Sequence, residues 1–177
     1  MGKVLLLAGP GGAGKSTIAN MLVERRGFVC LDGDSEDTEF FPDGDQWLPE
    51  NTERLRLAHE KILRKAKLLA GQGKNVVVDY IIFGRYAEFL ELFKKEFGDE
   101  LDIKILMPSQ SELIKRDSER ECWTTGPDRI AAVYEELMLL KRDIGAGYFL
   151  DTSNQTSEET FCMYFSEPEK EIGLSRT

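Results

Sequence analysis

The stretch LLLAGPGGAGKSTIANML, residues 5–22, limits what this chain can fold into more than any other part of its sequence. It begins as an uninterrupted apolar run, which is typical of a strand buried on both faces. The run stops at a cluster of glycines, and apolar residues then return at helical spacing. This succession predicts a strand, a tight loop and a helix, with one lysine and two hydroxyl side chains at the junction.

Short apolar runs and longer helical patterns alternate along the rest of the chain. The predicted strands cover residues 4–7, 28–31, 76–78, 103–106 and 148–150. This alternation predicts an α/β three-layer sandwich, in which helices cover both faces of a five-stranded parallel sheet. In such sheets ligands bind beyond the carboxyl ends of the strands.

The predicted helices are recognised by their apolar faces and by their ends. One face consists of Leu55, Ala58, Ile62, Ala66 and Leu69, and a second consists of Tyr86, Phe89, Leu90, Phe93 and Phe97. Ser109 with Glu112, and Thr156 with Glu159, have the spacing of a capping box and mark helix starts. Pro127 suits the first turn of a further helix that runs to about Arg142.

Length and charge narrow the class of protein. The chain has 177 residues, of which 41% are hydrophobic, enough for one substantial core. We expect one domain over residues 1–167 and a polar tail over 168–177. No apolar run approaches the roughly 20 residues of a membrane span, so we expect a cytoplasmic protein. We expect it to be either a monomer or a homodimer. The net charge of −9 disfavours nucleic acid as a partner.

The glycine cluster has the spacing G-x-x-x-x-G-K-[ST], between a strand and a helix as that motif requires. Glycines let backbone N–H groups approach phosphate oxygens, helped by the positive end of the following helix. The predicted nucleotide contacts are Gly9, Gly11, Gly12, Ala13, Gly14, Lys15, Ser16 and Thr17. Lys15 would contact the β- and γ-phosphates of ATP, and the Ser16 hydroxyl would ligate Mg²⁺. Binding alone does not separate a kinase from a switch, a motor or a regulatory ATPase.

Two carboxylates follow the second predicted strand, on the same side of the sheet as the phosphate loop. Asp32 and Asp34 are two residues apart and, in extended chain, would point the same way. We assign Asp34 as the general base or hydroxyl-orienting group, and Asp32 to the outer shell of the metal. An acidic turn without chemistry is the alternative.

Other candidate residues are less specific. Asp79 directly follows the third strand, where a metal shell, a contact to a substrate hydroxyl and a helix cap are equally compatible with the pattern. Arg54 and Arg85 are candidates for a substrate cavity, with solvated helix faces as the alternative. His59 is expected in an exposed or capping position. Phe40, Phe41 and Trp47 predict either the aromatic walls of an acceptor pocket or core packing.

A segment rich in arginine follows the fourth strand. Over residues 110–130, here called the lid, Arg116, Arg120 and Arg129 surround a Gly-Pro break. Arg116 and Arg120 are four residues apart and therefore share one helix face. Arginine-bearing lids neutralise charge on a transferred phosphoryl group and exclude water. An amphipathic helix with ordinary surface charges is the alternative.

Taken together, the order of these features resembles the small P-loop phosphotransferases, which include shikimate kinase, gluconate kinase, adenylylsulfate kinase and chloramphenicol phosphotransferase. The similarity rests on GPGGAGKST, the Asp-x-Asp pair, Asp79, the lid and DTS before a T-x-x-E helix, and it covers about residues 3–165. It implies a strand order 2-3-1-4-5, MgATP as donor and a carboxylate matching Asp34 near the acceptor hydroxyl. It also implies that Arg116 lies near the adenine and that Arg120 closes over the phosphates.

The leading hypothesis is an enzyme that transfers the γ-phosphoryl of ATP to a hydroxyl of a small molecule. One alternative is a nucleoside, nucleotide or polynucleotide 5′-hydroxyl kinase. Another is a nucleotide-binding regulatory ATPase without a small-molecule acceptor. The lid sequence ERECWTTGPDRI and the segment 37–49 depart from the resembled enzymes, so the acceptor stays open.

Overall fold

The computed structural model describes residues 1–44, 46, 48–82, 85–121 and 124–166. Its strands are β1 (Val4–Ala8), β2 (Val29–Asp32), β3 (Val76–Asp79), β4 (Leu101–Leu106) and β5 (Phe149–Leu150). Its helices are α1 (Lys15–Arg26), α2 (Gly33–Asp37), α3 (Thr52–Gly71), α4 (Tyr86–Phe97), α5 (Gln110–Ser118), α6 (Pro127–Ile144) and α7 (Ser157–Tyr164). The predicted tail at 168–177 lies outside the described residues.

All five predicted strands are present, with small shifts at their ends. They form one parallel sheet in the order β2-β3-β1-β4-β5, which confirms the predicted fold class and strand order. Strand β1 pairs with β3 and β4, and strand β3 pairs with β1 and β2. The short apolar runs of β1 and β3 therefore lie inside the sheet. Their side chains are buried on both faces, which is why these runs do not alternate in polarity.

Helices cover both faces of the sheet. Along β1, Leu6 and Ala8 face a core that includes side chains from α3, α4 and α6. Leu5 and Leu7 face a second core, which is built with α1, α5 and α7. Successive strand residues point to opposite faces, so one strand serves both cores and holds the layers together.

The carboxyl ends of the central strands meet at one edge of the sheet. In the ladder, Asp79 of β3 lies beside Leu7 of β1 on one side and beside Asp32 of β2 on the other. The loop after β1 carries the glycine cluster. The sheet therefore brings the phosphate loop and the acidic residues of β2 and β3 to the same edge, as expected for a ligand site in this architecture.

The extended geometry expected for residues 32–34 is wrong. The chain turns into helix α2 at Gly33, and Asp32 becomes its N-cap. Aspartate readily caps a helix because its carboxylate accepts the first free N–H groups. Asp32 and Asp34 therefore do not share one strand face.

The structure also settles the positions of two side chains for which the sequence left alternatives, His59 and Phe41. His59 is 2% exposed and packs edge-on against the rings of Tyr80 and Phe89, so the expected exposed or capping position is wrong. Phe41 is buried with Leu55 in a small apolar cluster, and the partly buried Phe40 packs against it, which is the core-packing alternative. Trp47 lies outside the described residues. Across the described ranges, no helix is long and apolar enough to cross a membrane.

Candidate functional site

The phosphate loop occupies residues 9–14, between β1 and α1. Gly14 is the N-cap of α1 and has φ 92°, a left-handed conformation that favours glycine. Gly12 has φ 81°, and a Cβ there would lie 2.7 Å from the carbonyl oxygen of Leu113 in α5. The glycines therefore permit both the curl of the loop and its close packing against α5.

Lys15 is the first residue of α1, and its side chain is buried within this loop. It is 7% exposed, and its Nζ donates a hydrogen bond to the carbonyl oxygen of Pro10 at 3.2 Å. Burial lowers the pKa of Lys15, while the negative charges of Asp79 and Asp34 oppose that change. The ammonium group is thus held at the sheet edge by the loop and by nearby carboxylates.

The next residue, Ser16, lies close enough to Asp79 for its hydroxyl to favour the charged form of that carboxyl group. Burial raises the pKa of Asp79, against the opposing effects of the Lys15 charge and of the nearby Ser16 hydroxyl. A hydroxyl and a carboxylate are the hard oxygen ligands that Mg²⁺ prefers. Of the three alternatives for Asp79, the metal shell is the one that this contact favours.

The carboxylate of Asp32 accepts hydrogen bonds from the two residues Asp34 and Ser35 that follow it in α2. One carboxylate oxygen accepts the N–H groups of Asp34 at 3.1 Å and Ser35 at 3.2 Å. The other accepts the Ser35 hydroxyl at 2.6 Å. Both oxygens therefore stabilise the start of α2, and the outer-shell role of Asp32 stays a prediction.

No group of three or more His, Cys, Asp or Glu side chains that could hold a metal occurs within the described part of the chain. Mg²⁺ in phosphotransfer sites usually takes only one or two protein ligands and completes its octahedron with phosphate oxygens and waters. A pair such as Ser16 and Asp79 is sufficient for that mode of binding.

Asp34 lies in the first turn of α2 and is exposed to solvent, although neighbouring protein atoms partly desolvate its carboxylate. Burial raises its pKa to about 7, against the opposing charge of Lys15. The negative charges of Asp37, Asp32 and Asp79 add to the increase. A carboxylate with a pKa near neutrality is suited to accept a proton at physiological pH.

Arg129 is a functional candidate to which the sequence assigned no individual role. Pro127 starts α6, so Arg129 lies in the first turn of that helix. Burial lowers the pKa of its guanidinium, while the charge of Asp34 opposes that change. The two side chains therefore interact across 95 positions of sequence, a proximity that only the fold creates.

A cavity of about 420 Å³ opens beside the phosphate loop, between α1, α5 and the segment that follows β5. It is lined by Gly12, Ala13, Gly14, Thr17, Ile18, Leu106, Glu112, Arg116, Glu119, Arg120, Thr152, Gln155, Thr156, Ser157 and Thr160. Its size suits a nucleoside. Within the part of the chain that the structure describes, the buried Thr152 hydroxyl in its wall has no hydrogen-bond partner.

Arg116 and Arg120 both line this cavity. The expected shared helix face is wrong, because α5 ends at Ser118 and Arg120 lies beyond it. Arg116 is held by Glu112, whose carboxylate lies 2.7 Å from Nε, and by the carbonyl oxygens of Thr152 at 3.1 Å and Gln155 at 3.3 Å. Arg120 is anchored less closely, with Nη1 lying 3.6 Å from Asp117. Arg116 is thus fixed in the wall, whereas Arg120 lies at the phosphate side, where its charge affects Lys15.

Arg54 and Arg85 make contacts away from Asp34. Arg54 donates to the Phe40 carbonyl and to Asn51, and its guanidinium lies 5.0 Å from the centre of the Phe41 ring. It therefore braces the segment after α2. Arg85 pairs with Glu88 at 2.5 Å. The substrate-binding roles of both arginines stay predictions.

Asp117 fastens the two ends of the lid loop. It is 3% exposed, and its carboxylate accepts the N–H groups of Thr125 and Gly126, each at 3.0 Å. Burial alone would raise the pKa of Asp117, but these hydrogen bonds, from Gly126 and then Thr125, hold it below its usual value. The residue gave no sequence signal, because its partners lie eight and nine positions away in a loop.

We expect Asp117→Ala to destabilise the protein by about 1–3 kcal/mol, because two backbone donors lose a charged acceptor. Thermal unfolding measured with Asp117→Ala and with Asp128→Ala, a control in the first turn of α6, tests this. Equal melting temperatures for the two variants would contradict the assignment.

The comparison with known families agrees with this geometry. The sequence profile of a family described as an AAA domain matches residues 4–143. The chain belongs to this AAA-domain family. The match begins at β1 and ends in α6, so it contains the phosphate loop, Asp34, Asp79 and the lid. No curated protein sequence matches the chain significantly.

Solved structures show the same fold at low sequence identity. A sugar kinase from Janibacter has a TM-score of 0.70 and 17% identity, covering 92% of each chain. A gluconokinase from Sinorhizobium meliloti has a TM-score of 0.61 and 18% identity, covering 89% of this chain and 86% of the other. A shikimate kinase from Acinetobacter baumannii has a TM-score of 0.59 and 19% identity, covering 92% and 90%. The AAA-domain chain thus has a kinase-like P-loop fold, which confirms the resemblance.

Proposed function

We propose that this protein is an ATP-dependent phosphotransferase that moves the γ-phosphoryl of MgATP to a hydroxyl of a small molecule. The observation that carries the proposal is Asp34, a carboxylate with a raised pKa, within the electrostatic field of Lys15. A phosphate site has little structural reason to hold a carboxylate, since like charges repel. A carboxylate that accepts the proton of an attacking hydroxyl, however, has a chemical reason to lie there.

The phosphate side of the site follows from the loop. Backbone N–H groups of residues 11–15 and the Lys15 ammonium would bind the β- and γ-phosphates. Ser16 and Asp79 would hold Mg²⁺, which neutralises charge on those phosphates when it is bound. The cavity wall with Arg116 and Thr152 would hold the nucleoside.

The transfer step requires a proton acceptor for the attacking hydroxyl, which approaches the γ-phosphorus from the side opposite the leaving oxygen of ADP. As the acceptor oxygen forms its bond to phosphorus, the bond from phosphorus to the leaving oxygen of ADP breaks. The hydroxyl proton passes to Asp34. Lys15, Arg120 and Arg129 would stabilise charge on the phosphoryl oxygens during this transfer.

Several observations support a small acceptor. The net charge of −9 opposes the approach of a long polyanion. The segment from Asp37 to Asp43 carries carboxylates and no lysine or arginine, which disfavours a polyanion bound along it. We further propose that residues 1–167 act as one catalytic unit.

An acceptor screen tests the proposal. Purified protein with MgATP is incubated with sugars, nucleosides, shikimate-like acids, and phenicol and aminoglycoside antibiotics, and ADP formation is measured. We expect ADP release that rises strongly with one class of hydroxyl compound and stays low without it. Slow hydrolysis that is indifferent to every compound would favour the regulatory ATPase, and a response only to 5′-hydroxyl oligonucleotides would favour the polynucleotide kinase.

The pH dependence gives a second test. A base must be deprotonated, so activity at subsaturating substrate should fall about tenfold per pH unit below the pKa of Asp34 and level off above it. With a pKa of about 7, the profile should bend between pH 6 and 8. A flat profile across that range would show that Asp34 is not the proton acceptor.

A further inference from the structure

Tyr80 occupies a position between the metal-side strand and the helix that carries Asp34. It directly follows Asp79, and its backbone N–H donates to the carbonyl oxygen of Leu7 at 3.2 Å, which ties it to β1. The side chain is 1% exposed. Its ring centre lies 5.7 Å from that of His59 and 5.6 Å from that of Phe89, so α3 and α4 hold the ring on its other sides.

Both ends of α2 touch this one side chain. At the start of the helix, a Cβ on Gly33 would lie 2.4 Å from Cδ2 of the Tyr80 ring, so the glycine backbone rests on the ring. At the end of the helix, the Tyr80 hydroxyl donates to Oδ2 of Asp37 at 3.0 Å. Asp37 is fully buried, and its second partner, Gln46, is more distant at 3.4 Å.

Helix α2 depends on such contacts for its geometry. It has only five residues, and helices of that length are not stable alone in water. On its outer side, Lys61 of α3 donates to the carbonyl oxygen of Glu36 at 2.8 Å. On its inner side, Tyr80 supplies contacts to the first and the last residue, with Asp34 between them.

From these contacts we infer that Tyr80 is a positioning residue, which holds α2 at both ends and thereby aims the Asp34 carboxylate at the acceptor hydroxyl. The inference rests on the proposed function, because Asp34 needs aiming only if it accepts a proton in the transfer step. Because Tyr80 directly follows Asp79, the same residue also fixes the position of Asp34 relative to Asp79 and Ser16, the proposed Mg²⁺ ligands.

The first test measures α2 directly and requires no acceptor. Hydrogen–deuterium exchange of the amides in residues 34–41 is compared between the wild type and Tyr80→Phe, which keeps the ring and removes only the hydroxyl. We expect exchange there to be about tenfold faster, because a buried anchor of a short helix is lost, while β1 and β3 stay protected. Tyr86→Phe is the matched control, since Tyr86 is also buried but lies in α4.

A second pair of variants guards against a general loss of folding. Asp37→Asn keeps an oxygen that accepts from Tyr80 and should exchange within about twofold of the wild type, whereas Asp37→Leu should resemble Tyr80→Phe. The double variant Tyr80→Phe/Asp37→Leu should be no faster than either single variant, because both remove the same contact. Unchanged exchange in Tyr80→Phe, or an equal increase in Tyr86→Phe, would overturn the inference.

The catalytic consequence separates this inference from the proposed function. With an identified acceptor, Tyr80→Phe should lower kcat about tenfold and leave the Kd for ATP within about twofold, since misplacing a reacting group affects the chemical step. If the wild type transfers phosphate and Tyr80→Phe keeps its full kcat, the positioning role is refuted and the proposed function stands. A wild type that phosphorylates no acceptor would refute both, even if α2 exchanges faster.

Discussion

Replacing Lys15 by alanine is expected to weaken ATP binding about 100-fold and to reduce phosphotransfer below detection. A charged hydrogen bond to phosphate contributes about 3 kcal/mol, and every 1.4 kcal/mol is about tenfold in affinity. The phosphate loop holds the buried ammonium at the sheet edge, so the alanine variant loses the positive charge that lies within the loop itself. Isothermal titration calorimetry with ATP and Mg²⁺ measures the affinity directly.

The matched control is Lys74→Ala, because Lys74 is exposed and precedes β3 at the opposite edge of the sheet. This variant should bind ATP as the wild type does. Circular dichroism spectra of both variants check that they are folded. Normal turnover in Lys15→Ala would refute the assignment of the phosphate loop.

Asp34→Asn is expected to lower phosphotransfer by about 10²-fold or more while ATP binds with unchanged or higher affinity. The amide matches the carboxylate in size but cannot accept the hydroxyl proton, and loss of a general base typically costs 10²–10⁴-fold. Removing a negative charge near the triphosphate does not weaken nucleotide binding. Initial rates at saturating acceptor and ATP, together with the Kd for ATP, measure the two effects separately.

Folding of this variant is checked at pH 8. The pKa of Asp34 is raised to about 7 in the folded protein, so the stability that its carboxyl group contributes is lost as the pH rises through 7. Asp34→Asn should therefore melt at the wild-type temperature or above it at pH 8. Asp43→Asn, in the exposed turn that follows α2, is the matched control for activity. Full transfer by Asp34→Asn would remove Asp34 from the mechanism.

The fold could be predicted from the sequence because its signals are local. Buried parallel strands appear as continuous apolar runs, and the apolar faces of α3 and α4 repeat at helical spacing. All five residues of the predicted apolar face on α4 are buried. The boundary of β2 was the exception, since the N-cap at Asp32 ends the strand and starts a short helix that no apolar periodicity marks.

The phosphate loop was also predictable, because its glycines, lysine and serine are contiguous. The surroundings of Asp34, where the acceptor is proposed to bind, were less predictable, because their contacts join distant parts of the chain. The charge of Asp34 acts on Arg129 at the start of α6, and the Tyr80 hydroxyl donates to Asp37 across 43 residues. Such pairs have no spacing rule, and a single buried tyrosine after a strand has the pattern of ordinary core packing.

The most direct test of the proposed transfer follows the fate of the γ-phosphoryl group. ATP labelled with ¹⁸O on its γ-phosphate is incubated with the protein, Mg²⁺ and an acceptor from the screen, and the products are analysed by mass spectrometry. The account predicts a phosphomonoester of the acceptor that carries the labelled phosphoryl group, absent with Lys15→Ala and strongly reduced with Asp34→Asn. Label found only in inorganic phosphate would contradict it.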